Sequence, residues 1–491
     1  MGGGLVPGVV PRAGDLDGAR VLVAGLGVSG RAASEVLRHH GAKVWTLDHR
    51  AEDADLQDDG ALDPTDFDLV VASPGWRPDG PLLAAAVTRG VPVWSEVELA
   101  WRTRASRGGR GPAPWLALTG TNGKTTTVGM LSSILQAAGL RAPAVGNVGT
   151  PVVEAVQDPA HDVLAVELSS FQLHFTHTVR ARAAALLNLA DDHLDWHGSM
   201  EAYAAAKARV LTGAEVACVY PARDGRLERL VGEAEVTEGA RAVGTTLGAP
   251  GPGQLGVVES LLVDRAFHAP ADDPRRASTA AELATVDDLS HLAGPSGTPA
   301  PHVIENALAA SALARAHGVP TEAVAAGLRA FAPGAHRTRP VGVVDDVVFV
   351  DDSKATNAHA ASAALASFPP GSVVWIAGGL AKGARFEELV RTHAERLVGV
   401  VLIGVDAAPL AEALTRHAPG VPVVRVDPAD TGAVMTRAVH EARRMSRPGA
   451  TVLLAPACAS MDQFDSYAQR GELFAAAVRE LAPDAPGGPR A

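Results

Sequence analysis

Three stretches of this 491-residue chain share one pattern, in which a short apolar run leads through a glycine turn into a segment of helical length. The runs are VLVA before GLGVSG, WLAL before TGTNGKTTT, and VVWIAG before GLAK. A strand that turns directly into a helix is the first half of a β-α-β unit, whose strands pair in parallel. The recurrence predicts an α/β fold built on mostly parallel sheets.

Two stretches of irregular composition divide this pattern. Residues 103–114 are rich in arginine, glycine and proline, and a second break falls at 333–336. A chain of this length accommodates about three domains. We therefore expect domains at 1–112, 113–333 and 334–491.

Composition excludes several classes of partner and compartment. The net charge is −12 without a clustered basic face, which argues against a nucleic-acid partner. The two cysteines are too few for a disulfide framework and indicate a reducing compartment. No apolar run reaches the ~18 residues of a membrane span, and the first residues lack the basic start of a signal peptide. We expect a cytoplasmic protein without a membrane span.

The loop at 119–126, TGTNGKTT, is the strongest local motif. A glycine loop between strand and helix points backbone N–H groups and a helix N-terminus at a phosphate. Lys124 would then lie against phosphate oxygens and Thr125 would bind Mg²⁺. The strict pattern requires glycine at position 118, where this chain has Leu118, so a turn without a ligand stays the alternative.

A second glycine loop, GLGVSG at 25–30, precedes Asp48, which ends the next strand-like run. This spacing indicates either a dinucleotide or a uridine nucleotide. A tight turn with no ligand is the alternative, because the pattern recurs in many proteins.

Lysine is scarce, with five among 43 basic residues, at positions 43, 124, 207, 354 and 382. A GC-rich coding bias explains the scarcity, and the lysines that remain should be enriched where a primary amine is needed. Lys207 lies within the helical stretch MEAYAAAKARVL. The ordinary interpretation is a surface lysine, whereas the scarcity favours a functional one.

Other polar residues follow apolar runs, where parallel strands place ligand-binding groups. Glu167 and His193 could each bind Mg²⁺, although histidine is an unusual ligand for that ion and a lone histidine more often has a structural role. In the last third of the chain, three strand ends carry polar groups and predict a small-molecule site. Those ends are the segments DDSKATN, GGLAK and CASMDQFDSY.

Several segments occur together in the order found in one family. They are TGTNGKTT, GNVG, ELSSFQL, DDH, the Lys207 helix, HR, DDSKATN and CASMDQF, and the agreement in order and spacing covers the chain from about residue 20 to 475. In this order and spacing the chain resembles the Mur ligases. The segments SSFQL, DSKATN and CASMDQF are most similar to those members that add D-glutamate to UDP-N-acetylmuramoyl-L-alanine.

The resemblance implies an α/β fold with a Rossmann-like N-terminal domain, a P-loop-type central ATPase domain and a Rossmann-like C-terminal domain. It also implies ATP and Mg²⁺ as cofactors, an acyl phosphate on the substrate carboxylate, and attack on it by the amine of D-glutamate in peptidoglycan synthesis. A monomer is expected.

The resemblance also assigns roles to individual residues. The catalytic residues would be Lys124, Glu167, His193 and Lys207, and the metal ligands Thr125, Glu167, His193 and Lys207 as a carbamate. The nucleotide would contact Gly120, Thr121, Asn122, Gly123, Lys124, Thr125, Thr126, Asn306, Arg337 and Asp352. The other substrates would contact Ser29, Asp48, His49, Arg50, Gly75, Asn147, Ser169, Gln172, Lys354, Thr356, Lys382, Ser460 and Tyr467.

Four positions depart from the family pattern, namely Val303, Pro221, His49 and Tyr467. Four other interpretations stay open. A sibling ligase or a folylpolyglutamate synthase is opposed by the SSFQL and DSKATN segments. A nicotinamide-dependent dehydrogenase would leave the loop at 119–126 without a role. A non-catalytic relative would be expected to have lost Lys207 or Glu167, and both are present.

Overall fold

The computed structural model describes residues 16–270, 272–293, 297–334, 336–427 and 432–481. Within these ranges the strands form three sheets and helices are interspersed between them along the chain, so the predicted α/β class is confirmed. No helix in the described ranges is both long enough and apolar enough to cross a membrane.

The chain divides into two compact units. One contains the residues up to Leu189, Trp196–Asp288 and Ile304–Phe331, and the other contains Ala190–Asp195, Leu289–Val303 and the residues from Ala332 onward. Two of the sheets belong to the first unit and one to the second. The three-domain division stays a prediction.

The first sheet is entirely parallel. Its strands are β1 (Arg20–Ala24), β2 (Lys43–Leu47), β3 (Leu69–Ala72) and β4 (Val93–Ser95), in the order β2-β1-β3-β4. Its helices are α1 (Val28–His39), α2 (Pro81–Thr88) and α3 (Glu96–Arg102). The turn between β1 and α1 requires glycine, because a Cβ on Gly30 would lie 1.8 Å from the Gly25 carbonyl oxygen.

The second sheet has nine strands. They are β5 (Trp115–Thr119), β6 (Ala144–Gly146), β7 (Leu164–Glu167), β8 (Ala183–Leu186), β9 (Ala217–Pro221), β10 (Arg241–Thr245), β11 (Gln254–Val258), β12 (Leu261–Asp264) and β13 (Ala281–Thr285). The order is β13-β12-β11-β10-β9-β8-β5-β7-β6, and only the pairs β11-β12 and β12-β13 are antiparallel among the described strands of this sheet.

The helices between the second sheet's first strand and Ala330 are α4 (Lys124–Ala137), α5 (Val152–Ala155), α6 (Ser170–His174), α7 (Leu194–His197), α8 (Met200–Ala208), α9 (Gly225–Gly232), α10 (Pro301–His317) and α11 (Thr321–Ala330). The central strands β5, β7 and β8 are buried along their whole length. A strand that is apolar on both faces is typical of a parallel sheet covered by helices, as the sequence indicated.

The third sheet consists of β14 (Arg339–Val344), β15 (Val347–Asp351), β16 (Val373–Gly378), β17 (Leu397–Ile403), β18 (Val423–Arg425) and β19 (Thr451–Leu454). Its order is β14-β15-β19-β16-β17-β18, and β14 pairs antiparallel with β15. The helices that follow Asn357 are α12 (Ala358–Ala366), α13 (Glu387–His393), α14 (Ala408–His417), α15 (Val434–Met445) and α16 (Tyr467–Leu481). Strand β14 was not foreseen as a separate strand, because it is partly exposed and its sequence contains a proline and a glycine.

Candidate functional site

A cavity of about 760 Å³ opens at the carboxyl ends of β1, β2 and β3. All five substrate residues predicted for this part of the chain line it, namely Ser29, Asp48, His49, Arg50 and Gly75. The ends of neighbouring parallel strands meet at one edge of a sheet, which explains why residues from three separate segments of the sequence come together here.

Asp48 holds the first glycine loop in shape. Its Oδ2 accepts a hydrogen bond from the Leu26 amide at 2.7 Å, and its Oδ1 accepts one from the Arg50 amide at 2.8 Å. These backbone hydrogen bonds, above all the one from Leu26, lower the pKa of the Asp48 carboxyl below its ordinary value. The side chain therefore carries a negative charge into the wall of the cavity.

An aromatic pair forms another part of the cavity wall. The His49 ring stacks on Trp76, with centroids 5.2 Å apart and planes at 28°. Trp76 was missed by the sequence analysis. Its place directly after a strand and a glycine, in the segment SPGW, is a signal that could have found it.

The loop Gly120–Gly123 joins β5 to α4 and turns tightly. Gly123 has a φ of 79°, and a Cβ there would lie 2.5 Å from Asn306 Oδ1, so only glycine fits. Asn306, which was predicted to face the nucleotide, therefore packs directly against this loop. Thr125 and Thr126 lie in the first turn of α4, half-buried.

Two lysines converge on one carbonyl of this loop. Lys124 Nζ donates to the Gly120 oxygen at 2.8 Å, and Lys207 Nζ donates to the same oxygen at 2.7 Å. Lys124 also donates to the Thr121 carbonyl at 2.8 Å. The structure thus brings together two of the predicted catalytic residues, which lie far apart in sequence.

Lys207 is buried, at 2% exposure, so its interpretation as a surface lysine is wrong. The Nζ lies 4.8 Å from the centroid of the Tyr203 ring, and Tyr203 Oη is 3.0 Å from Thr121 Oγ1. Helix α8 starts at a serine cap, where Ser199 Oγ accepts from the Ala202 amide at 3.1 Å, and this start sets which of its residues face the loop.

Asn188 fixes the other side of the loop and had no role in the sequence analysis. Its Oδ1 accepts from the Asn122 amide at 2.8 Å, and its Nδ2 donates to the Asn122 carbonyl at 3.0 Å. Asparagine is as scarce as lysine in this chain, so scarcity was a signal for this position also.

Glu167 lies at the end of β7 with its side chain buried. Oε1 accepts a hydrogen bond from Asn147 Nδ2 at 2.9 Å, whereas Oε2 has no hydrogen-bond partner within the described ranges. A buried carboxylate oxygen without a donor is costly unless a ligand or ion satisfies it. The arrangement fits an oxygen that binds a hard cation.

Ser169 and Gln172 form the capping box of α6, in which each side chain accepts from the other residue's backbone amide. Because Gln172 Oε1 accepts from the Ser169 amide, its Nε2 points away from the cap, and it donates to the buried Glu96 Oε1 at 2.8 Å. Burial raises the pKa of Glu96 to about 7. Gln172 therefore uses both ends of its amide inside the protein, and its contact with a substrate stays a prediction.

His193 belongs to the second compact unit. Its backbone has a φ of 54°, and its Nε2 lies 3.6 Å from Asp192 Oδ2. Asn357, the cap of α12, donates to the same Asp192 oxygen at 3.3 Å. The His193 side chain is 38% exposed, and its role as a metal ligand stays a prediction.

The second unit gathers the predicted residues of the last third of the chain near the ends of β15 and β19. Lys354 Nζ lies 3.9 Å above the Tyr467 ring, which is a cation–π contact. Asp352 Oδ1 accepts from the Thr338 amide at 3.1 Å, and burial raises the pKa of this carboxyl to about 7 against the opposing charge of Arg337. Thr356 lies on the same turn, one residue before the α12 cap.

The ends of β16 and β19 are tied to each other. Leu380 and Ala459 exchange backbone hydrogen bonds of 2.9 and 3.2 Å, which brings the segments of Lys382 and Ser460 together. Lys382 is exposed with a φ of 50°, and Ser460 is buried. Arg470, fully buried next to these residues, was missed by the sequence analysis because arginine is abundant in this chain.

Family models, related sequences and solved structures all relate this chain to the same family of ligases. The Mur ligase middle domain matches residues 118–314, and the Mur ligase, glutamate ligase domain matches residues 336–458. The UDP-N-acetylmuramoylalanine–D-glutamate ligase of Streptomyces coelicolor is 58% identical over 95% of this chain and 99% of its own length. The corresponding ligase of Thermobifida fusca is 53% identical over 95% of this chain and 100% of its own.

A solved structure of the MurF ligase from Thermotoga maritima in complex with ADP shares the fold. Its TM-score is 0.53 at 16% identity, over 96% of this chain and 98% of that one. Taken with the matched domains and the sequence identities, the glycine loop, the converging lysines and the buried carboxylate lead to one conclusion. The chain belongs to the Mur ligase family.

Proposed function

We propose that this protein is the ATP-dependent ligase that adds D-glutamate to UDP-N-acetylmuramoyl-L-alanine in peptidoglycan synthesis. The names of relatives that are 53–58% identical over 95% of the chain support this substrate pair. The observation that carries the chemistry is the loop whose Gly120 carbonyl receives both Lys124 and Lys207, close to the start of an α-helix.

The loop at 119–126 is proposed as the ATP site in a P-loop-type central domain. The N-terminus of α4 and the ammonium of Lys124 favour negative charge on phosphate oxygens. Hydrogen bonds from Lys124 Nζ to two main-chain carbonyls hold the ammonium at this loop, where it can stabilise charge on the transferring phosphoryl group. Asn306, Arg337 and Asp352 are proposed to complete the nucleotide site.

Mg²⁺ fits the residues that are present. The unpartnered Glu167 Oε2 is a hard oxygen ligand, and Thr125, His193 and a carbamate on Lys207 are the other proposed ligands. The bound cation would neutralise charge on the phosphate oxygens. Within the described ranges no group of three His, Cys, Asp or Glu side chains is arranged to hold a metal ion, so oxygens of other groups would complete the coordination.

The cavity at the first sheet is proposed to hold the uridine nucleotide in a Rossmann-like domain. Asp48 supplies acceptor oxygens, and the stacked pair His49–Trp76 supplies an aromatic face for a base. Asn147 and Ser169 lie on the loops that follow β6 and β7, and they are proposed to contact the muramoyl-alanine end of this substrate.

The amino acid is proposed to bind in the Rossmann-like C-terminal domain. Lys354, Lys382, Ser460 and Thr356 offer cationic and hydroxyl groups that suit the two carboxylates of D-glutamate. In the proposed reaction ATP phosphorylates the carboxylate of the muramoyl-alanine substrate, and phosphate leaves when the amine of D-glutamate attacks. The protein's part is to hold the two reacting groups together and to exclude water.

Phosphate release by the purified protein tests the proposal. Release should require Mg²⁺, ATP, UDP-N-acetylmuramoyl-L-alanine and D-glutamate together. Equal turnover with L-glutamate, L-alanine or meso-diaminopimelate would assign the chain to a different branch of the family. The cytoplasmic location and the monomeric state stay predictions, which fractionation and light scattering would test.

A further inference from the structure

Among the described residues of the second compact unit, Arg470 is the most deeply buried charged side chain, at 0% exposure. Its Nε donates to Ser353 Oγ at 2.9 Å, one terminal nitrogen donates to the Ser353 carbonyl at 2.8 Å, and the other donates to the Cys458 carbonyl at 3.2 Å. The guanidinium is thus bonded through all three nitrogens to two separate segments.

These contacts reach every segment that carries a proposed amino-acid-binding residue near β15 and β19. Ser353 directly precedes Lys354, and Cys458 lies two residues before Ser460. Ser353 Oγ in turn donates to the Tyr467 carbonyl at 2.8 Å, at the start of α16. A single side chain therefore sets the relative position of three segments.

Among the described residues, no carboxylate lies within ion-pair distance of Arg470, although the charges of Asp462 and Asp351 raise its pKa from farther away. Within the described ranges its hydrogen bonds end on a hydroxyl and two carbonyls, and no carboxylate pairs with it. Burial lowers the pKa of Arg470 to about 10, which leaves the group charged at neutral pH. Burying a charge whose hydrogen bonds go only to neutral oxygens is costly, so its presence here calls for a function that an apolar side chain would not provide.

We propose that Arg470 is a positioning residue of the amino-acid site, which fixes Lys354, Ser460 and Tyr467 in register by bridging Ser353 to the Cys458 carbonyl. The proposal rests on the proposed function, because it takes those three residues as the ones that contact the incoming amino acid. Its own claim concerns geometry, and it holds for whichever amino acid the enzyme uses.

Lysine cannot reproduce this arrangement. A guanidinium presents donors in a planar fork, whereas an ammonium is a single point from which three oxygens on two segments cannot be reached at once. Arg470→Lys keeps the charge and most of the volume of the side chain. The variant therefore tests the planar set of hydrogen-bond donors and not the charge.

Arg315 offers a matched control in the first compact unit. It too is largely buried, with Nε donating to Asp264 Oδ2 at 3.0 Å and a terminal nitrogen donating to the Val319 carbonyl at 2.6 Å. Arg315→Lys removes a comparable set of hydrogen bonds from a position with no proposed contact to substrate. General loss of stability should affect both variants alike.

The experiment measures KM for each of the three substrates. Arg470→Lys should raise KM for D-glutamate about 10-fold or more, with KM for ATP and for the UDP substrate changed less than about 2-fold. Arg315→Lys should leave all three unchanged. An unchanged KM for D-glutamate in folded Arg470→Lys, or an equal rise for all three substrates, would overturn the proposal.

Ser353→Ala keeps the proposal testable if Arg470→Lys fails to fold. It removes the hydroxyl that joins Arg470 to Tyr467 and should raise the same KM by a smaller factor. In the double variant the two effects should be less than multiplicative, because both act through one linkage. Independent effects would contradict the linkage. If the wild type prefers another amino acid, the proposed function fails, and the KM for that amino acid still decides the role of Arg470.

Discussion

The two glycine loops of the first compact unit have the same strand-turn-helix design and opposite electrostatics. In the loop after β1, the Leu26 amide is already used by the Asp48 carboxylate at 2.7 Å. In the loop after β5, the Gly120 carbonyl accepts hydrogen bonds from the side-chain nitrogens of Lys207 and Lys124 at 2.7 and 2.8 Å. The first loop therefore holds the negative carboxylate of Asp48, and the second holds the positive ammonium of Lys124.

The comparison separates what glycine does from what charge does. Glycine makes the sharp turn possible in both loops, at Gly25 with a φ of 95° in the first and at Gly123 with a φ of 79° in the second. The charged partner then decides the ligand. A carboxylate at the first loop disfavours an anion at the Leu26 amide and offers acceptors to hydroxyl and N–H groups. The ammonium of Lys124 at the second favours phosphate.

The largest effect is expected from Lys124→Ala, which removes charge from the second loop. Turnover should fall about 100-fold to 1000-fold, because a donor aimed at charge that develops in the transition state is lost. Unfolding should be little changed, since Lys124 is only half-buried. Phosphate release measures the turnover, and thermal unfolding of the same preparation measures the stability. A variant that keeps most of its turnover would show that this loop is not the ATP site.

A comparable loss is expected from Lys207→Arg, which keeps a cation in the second loop. Arginine holds its proton and cannot form a carbamate, so the variant should be as inactive as Lys207→Ala. Acetate or formate should restore part of the rate of Lys207→Ala by replacing the carbamate. An active arginine variant without rescue of the alanine variant would indicate a lysine that only supports the Gly120 carbonyl.

The smallest effect is expected from Asp48→Asn, which removes the charge from the first loop. The lost hydrogen bonds to a charged acceptor should lower the free energy of unfolding by about 1–2 kcal/mol. The pKa of Asp48 lies below its ordinary value of 3.8, so its contribution is present above that pH and is lost as the pH falls through the folded pKa.

Denaturant unfolding at several pH values measures this contribution. The difference in the free energy of unfolding between wild type and Asp48→Asn should be greatest above pH 4 and should become smaller below it. A constant difference over the whole range would mean that the charge of Asp48 does not stabilise the first loop.

Local patterns in the sequence predicted the strands, the glycine turns and the candidate residues next to them. The scarcity of lysine singled out Lys207, whose burial at 2% confirms that it is not a surface residue. Adjacent strand ends also explain why Ser29, Asp48 and Gly75 line one cavity. These successes have one cause, because a parallel sheet brings the residues after its strands to a common edge.

The sequence could not show which buried side chains hold the site residues in position. Arg470 contacts Ser353 across 117 positions, and Glu96 contacts Gln172 across 76. Such pairs depend on how helices pack on the sheets, which no local pattern encodes. Arginine and glutamate are also common in this chain, so composition gave no signal for either residue.

Separate binding of two nucleotides tests the contrast between the loops most directly. Titration calorimetry would measure the dissociation constants of ATP with Mg²⁺, and of UDP alone, for wild type, Lys124→Ala and Asp48→Asn. Lys124→Ala should weaken the binding of ATP at least about 10-fold and leave the binding of UDP unchanged. Asp48→Asn should weaken the binding of UDP by a similar factor and leave the binding of ATP unchanged. The assignment of the uridine nucleotide to the first loop and of ATP to the second is wrong if either variant weakens the binding of both nucleotides equally. It is also wrong if Lys124→Ala weakens only UDP binding and Asp48→Asn weakens only ATP binding.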